Sequence, residues 1–139
     1  MLVTMKEILD RAKKDNYGVT SIMVDRSSLS YEDNIAQTKE TVKMCRPLNI
    51  SVEAELGHVG QSEDYSSDGS DHFTKPEEAK KFVEETGIDC LAVAIGTAHG
   101  RYHGTPHIDF DLLKQITDVV DIPLVLHGGS GTGDENLRK

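Results

Sequence analysis

The order of elements along the chain predicts an α/β protein built on a parallel sheet. Three observations carry the prediction: helical apolar stretches alternate with four short strand-like runs, glycine or proline breaks separate them, and one run follows the next at roughly 30–40 residues. That spacing is the length of a right-handed crossover between parallel strands, so the order reads α(βα)₄.

Each element has a local reason. Thr4 with Glu7 three residues on makes a capping box, and Met5, Ile8, Leu9 and Ala12 then recur at helical spacing until Asn16-Tyr17-Gly18. Residues 20–25 form a first strand between Gly18 and Arg26-Ser27-Ser28. Ser30 caps a helix over 31–46 that turns Ile35, Thr38, Val42 and Cys45 to one side and stops before Pro47. Residues 50–56 are the second strand, followed by a polar loop over 57–75, a length at which loops are usually functional lids or disordered. Thr74 and Glu77, with Pro76 between them, open a third helix that buries Ala79, Phe82 and Val83 and ends at Gly87. Residues 90–95 are the third strand, Asp109 caps a fourth helix bearing Leu112, Leu113, Ile116, Val119 and Val120, and residues 123–127 are the fourth strand. A glycine-rich turn over 128–133 introduces a last helix.

Composition bounds what such a domain does. A chain of 139 residues suits one domain, 1–139, and 37% hydrophobic residues are enough to exclude disorder throughout. No run of about 18 apolar residues occurs, and Lys6, Glu7 and Asp10 stand where a signal peptide needs an apolar stretch, so a soluble, cytoplasmic protein is expected. The net charge of −9 repels phosphodiester backbones and anionic lipid, which argues against nucleic-acid and membrane partners. A small phosphorylated substrate stays open, because a glycine nest binds phosphate locally against the background charge. Cys45 and Cys90 are too few for a disulfide framework and read as reduced core residues.

The residues able to do chemistry cluster at strand ends. Asp25, Glu55, His99 and His127 all lie at or just after the carboxyl end of an expected strand, the rim on which parallel α/β proteins build active sites. In Ser51-Val52-Glu53-Ala54-Glu55-Leu56 the alternation puts Glu53 and Glu55 on one face. Side by side they repel unless a cation or donor stands between them, which leaves two readings: a metal or catalytic site, or a polar rim stabilised by Arg or Lys. His99 lies between Ala98 and Gly100, and His127 precedes Gly128-Gly129-Ser130-Gly131. Two strand-end histidines and a carboxylate are the ligand types of a catalytic zinc site, and a glycine turn at a helix start suits phosphate. His58, His72, His103 and His107 read as surface histidines.

Four stretches then resemble one family. Ser51-Val52-Glu53-Ala54-Glu55-Leu56-Gly57-His58-Val59-Gly60, the run from Ala92 through Gly96-Thr97-Ala98-His99-Gly100, the run from Ile122 through His127-Gly128-Gly129-Ser130-Gly131, and the opening Met1-Leu2-Val3-Thr4 are similar to the class II, zinc-dependent fructose-bisphosphate and tagatose-bisphosphate aldolases. The resemblance implies a (β/α)₈ TIM barrel, of which four parallel strands can be counted, and reversible cleavage of a ketose 1,6-bisphosphate to dihydroxyacetone phosphate and glyceraldehyde 3-phosphate. It implies Zn²⁺ held by His99 and His127 with Glu55 as the carboxylate of an alternative metal position. It further implies phosphate contacts from Gly100, Gly128, Gly129 and Ser130, and Glu63 as the acid/base for the carbon-bound proton.

Departures from the family pattern are expected to matter. Gly18 leads directly into what resembles the family's fourth strand, so the segment that ordinarily ends in Asp-His, with the aldol-step acid/base and a third zinc histidine, has no counterpart. The Asp-His present, Asp71-His72, sits in a polar loop without a preceding strand. Ser28 stands where the family commonly has histidine, and Gly60-Gln61 where it commonly has two glycines. The expected alternative to an active aldolase is a non-catalytic half-barrel that binds zinc or a phosphorylated ligand, or self-associates as a homo-oligomer through open strand edges and an uncovered apolar inner face.

Overall fold

A computed structural model describes residues 5–14, 18–59, 72–100, 102 and 106–139. Thr4, Gly60, Gln61, Glu63, Asp71 and His103 lie outside the described residues. Helix α1 spans Met5–Lys14, and strand β1, Ser21–Val24, follows it. Then come α2 Tyr31–Cys45, β2 Ser51–Leu56, α3 Pro76–Thr86, β3 Cys90–Val93, α4 Phe110–Thr117, β4 Leu124–Val125 and α5 Asp134–Leu137. The four strands form one parallel sheet in the order β1-β2-β3-β4, with each neighbour in space also the neighbour in sequence. This singly wound, open sheet with helices in every crossover is a partial TIM barrel.

Register divides the side chains between two environments. Met23 pairs with Glu53, Glu53 with Cys90, Glu55 with Ala92 and Ala92 with Val125, so these residues occupy one face. The other face carries Val24, Val52, Ala54, Leu56, Leu91 and Val93, which join Ile35, Val42, Phe82 and Ile116 of the helices in the core. Phe82 and Ile116 are fully buried in that layer, and Tyr31 packs its ring against Phe82 at a centroid distance of 6.3 Å. The inner face is mixed: Met23, Cys90, Ala92 and Val125 lie on it beside Glu53 and Glu55, the pair that alternation places there, and Met23 is exposed.

Several boundaries differ from the sequence expectation, each for a physical reason. The α2 helix stops at Cys45 and tightens into a 3₁₀ turn over Arg46–Leu48, since Pro47 fits an early helical turn but offers no amide to continue one. Thr74 does not cap α3. The N-cap is Lys75, without a side-chain capping bond, because the Thr74 hydroxyl is engaged between strands: it donates to the Leu56 carbonyl and accepts from the Ala94 amide at 2.8 Å. Asp109 does cap α4 as expected, accepting from the Leu112 amide at 2.8 Å, although the helix ends at Thr117 and Val120 is buried beyond it. Cys90 is also not a core residue: it is half-buried on the inner face, whereas Cys45 is fully buried.

The rim opposite the histidines is closed by Asp89. One carboxylate oxygen accepts from the Val52 amide at 2.8 Å and the other from Arg46 at 3.0 Å, which ties the start of β3 to β2 and to the end of α2.

Thr74 supplies a test of how the end of β2 is tied to the exit of β3. Thr74→Val keeps the shape and leaves a buried carbonyl and a buried amide without partners, so a loss of about 1–3 kcal/mol is expected in urea unfolding. An unfolding midpoint equal to that of the unaltered chain would contradict the bridging role.

Candidate metal centre

The centre is organised around a buried carboxylate. Glu55 lies near the carboxyl end of β2 with 2% of its surface exposed, although its neighbours in the sheet are Ala54 and Leu56. An ionised group there requires donors, and three are present. The Ser27 hydroxyl donates to Oε1 at 3.1 Å, the Val59 amide donates to the same oxygen at 3.2 Å, and His127 Nδ1 lies 3.0 Å from Oε2. Behind it, buried Asn34 of α2 donates to the Glu55 carbonyl at 3.0 Å and accepts from Thr38 at 3.1 Å.

His127 enters from beyond β4 and stands between the two glutamates that alternation places together. Its Nε2 is 2.8 Å from Glu53 Oε1, while its Nδ1 faces Glu55. The ring thus separates the two carboxylates, with one nitrogen turned to each. Glu53 also reaches the Cys90 thiol, with Oε2 3.9 Å from Sγ. Burial first, then the Glu53 carboxylate, pushes the Cys90 thiol up from its ordinary value, so it stays a neutral thiol.

His99 completes the group. It follows β3 on the same rim, exposed, with its ring centroid 5.9 Å from that of His127. One ligand atom each from Glu55, His99 and His127 lie within 4.8 Å of one another. Two imidazoles and a carboxylate are a donor set that Zn²⁺ accepts, with room for water as a fourth ligand, so the residues present fit a metal of that kind.

The loops that carry the histidines are braced against each other. Tyr102 places its hydroxyl 2.6 Å from the Ala98 amide, from which it accepts, and 2.9 Å from both the Ala98 and Gly128 carbonyls. Gly128, at φ +67°, packs so closely that a Cβ there would sit 2.4 Å from the Ala98 carbonyl oxygen. Gly100 adjoins His99 at φ +100°, while Gly129 accepts from the Thr132 hydroxyl at 2.8 Å and Ser130 is exposed in the turn. Asp25 is exposed and turned back on its own loop, where it accepts from the Ser27 amide at 2.8 Å. His58, expected at the surface, is exposed but also meets Ser27: its Nδ1 is 3.2 Å from that hydroxyl.

A family model for class II fructose-bisphosphate aldolase matches residues 3–139. The chain belongs to that family. Solved structures agree in fold. The YdjI aldolase of Escherichia coli K12 superposes with a TM-score of 0.79 and is 41% identical over 98% of this chain. A Coccidioides immitis protein assigned as a fructose-1,6-bisphosphate aldolase is also 41% identical, with a TM-score of 0.73 over 88% of the chain. The fructose-bisphosphate aldolase of Campylobacter jejuni, 24% identical with a TM-score of 0.68, shares the fold. This member spans 46%, 44% and 42% of those chains respectively.

Sequence reasoning singled out Asp25, Glu55, His99 and His127, and through period-two alternation read Glu53 together with Glu55; it assigned no role to Ser27 or Tyr102, whose contacts are tertiary and leave no local signal. Gly128 and Gly133 allow the loop packing to be tested, since both have positive φ but, among the described residues, nothing lies within 4 Å of a Cβ at Gly133. Gly133→Ala is expected to cost only the backbone strain, about 1–2 kcal/mol. Gly128→Ala should cost more, since a Cβ there meets the Ala98 backbone. Equal unfolding midpoints for the two variants would contradict the close approach.

Proposed function

We propose that this aldolase-family chain uses its carboxyl-terminal rim to bind zinc and the triose-phosphate portion of a ketose 1,6-bisphosphate. The observation that carries the proposal is the convergence of Glu55, His99 and His127 at one rim in a member of this family. His99 and His127 hold the metal through neutral imidazole nitrogens, and Glu55 supplies the carboxylate of a further metal position. When bound, zinc supplies a Lewis acid for negative charge developing on a ketone oxygen.

The other roles fall to residues of the loops. Gly100 and the Gly128-Gly129-Ser130 turn receive the phosphate end of the substrate through close backbone approach. Glu63 exchanges the carbon-bound proton of the triose phosphate. The aldol step needs a second acid/base, which the family pattern places in the Asp-His segment that has no counterpart between Gly18 and β1. The reaction proposed for the intact site is reversible cleavage of a ketose 1,6-bisphosphate to dihydroxyacetone phosphate and glyceraldehyde 3-phosphate, with only part of that apparatus in this chain.

Zinc titration of the purified chain beside His99→Ala and His127→Ala is the test. The unaltered chain is expected to take up one zinc ion weakly and both variants to lose it; equal uptake by all three would remove the metal assignment. On the same samples a coupled assay for triose phosphate should detect no release, since a missing general acid/base typically costs about 10²- to 10⁴-fold. Robust release would show that another group performs the aldol step. The outer edges of β1 and β4 have no strand partner among the described residues, so self-association belongs to the same proposal. Sedimentation that finds only a monomer would refute it.

A further inference from the structure

His127 meets two carboxylates, but they are not equivalent. Glu55, on the Nδ1 side, belongs with His99 to the group able to share an ion. Glu53, on the Nε2 side, is outside that group, 2.8 Å from Nε2. We propose that Glu53 is a positioning residue that keeps the hydrogen of His127 on Nε2 and so reserves Nδ1 as the nitrogen offered to the metal. The proposal rests on the metal reading given above.

Three features of the site support it. Nδ1 is the nitrogen that faces Glu55, the carboxylate grouped with His99, whereas Nε2 faces Glu53, which belongs to no such group among the described residues. With the ion on Nδ1, a hydrogen on Nε2 points at the Glu53 oxygen; with the hydrogen on Nδ1 instead, the Nε2 lone pair would face a carboxylate lone pair at 2.8 Å, which repels. A carboxylate that accepts from the far nitrogen of a ligating imidazole fixes the ring orientation and makes it a stronger donor to the metal.

Glu53 is itself held for this task. Its backbone is fixed in the middle of β2 by pairing with Met23 on one side and Cys90 on the other. Its second oxygen lies 3.9 Å from the Cys90 sulfur, whose thiol remains protonated and able to donate. About a fifth of the Glu53 and His127 side chains is exposed, 20% and 22%, so the contact is only partly screened by water.

The experiment uses the full chain labelled with ¹⁵N in histidine, titrated with zinc and observed in long-range ¹H–¹⁵N correlation spectra, which distinguish the two ring nitrogens. Zinc-loaded wild type is expected to show the hydrogen on Nε2 of His127 and the metal on Nδ1; metal on Nε2 would overturn the proposal without any variant being made. Glu53→Gln, whose amide oxygen still accepts, should keep that pattern and most of the affinity. Glu53→Leu should bind zinc about 10- to 100-fold more weakly with its circular dichroism unchanged. Wild-type affinity in Glu53→Leu, or equal losses in the Gln and Leu variants, would overturn the positioning role while leaving the metal reading in place. Undiminished zinc uptake by His127→Ala would instead remove the metal reading and this proposal with it.

Discussion

A carboxylate buried to 2% exposure at the end of β2 is the constraint on which the rim depends. Glu55 can stay there only because groups from separate segments are spent on it: Ser27 from the loop after β1, the Val59 amide from the loop after β2, and His127 from beyond β4. Leaving a buried polar group without one of its partners commonly costs about 1–3 kcal/mol. The loops of three strand ends are thereby drawn to one point, and His99 reaches that point from the fourth by following β3.

The sheet makes this tolerable by separating two chemistries on alternate positions. Val52, Ala54 and Leu56 face the helices and merge with Phe82 and Ile116 in the core, while Glu53 and Glu55 share the inner face with small or soft neighbours such as Ala92 and Cys90. A shift of one residue in the β2 register would bury both glutamates among the helices, so the hydrophobic pattern that selects the fold also selects the site. At the opposite rim Asp89 performs a purely structural closure, bonded to the Val52 amide and Arg46.

Much of this was legible in the sequence, and the remainder was illegible for identifiable reasons. Helix and strand order followed from apolar periodicity and turn residues, and Glu55, His99 and His127 stood out because a strand end projects its residues onto one rim. Thr74 misled, since its spacing to Glu77 is that of a capping box, yet two partners from β2 and the β3 exit outbid the helix for its hydroxyl. The inner face combines both expectations, with Met23, Cys90, Ala92 and Val125 apolar beside the inward pair Glu53 and Glu55. Tyr102 was invisible: its hydroxyl joins Ala98 to Gly128, positions brought together only by the pairing of β3 with β4.

Anomalous diffraction at the zinc edge, from crystals of this chain grown with zinc, locates the metal. A single strong peak is expected at bonding distance, about 2.0–2.2 Å, from Nδ1 of His127 and within reach of His99 and Glu55, with Glu53 still on Nε2. Ordered histidine rings with no peak between them, and zinc bound elsewhere on the chain, would contradict that placement.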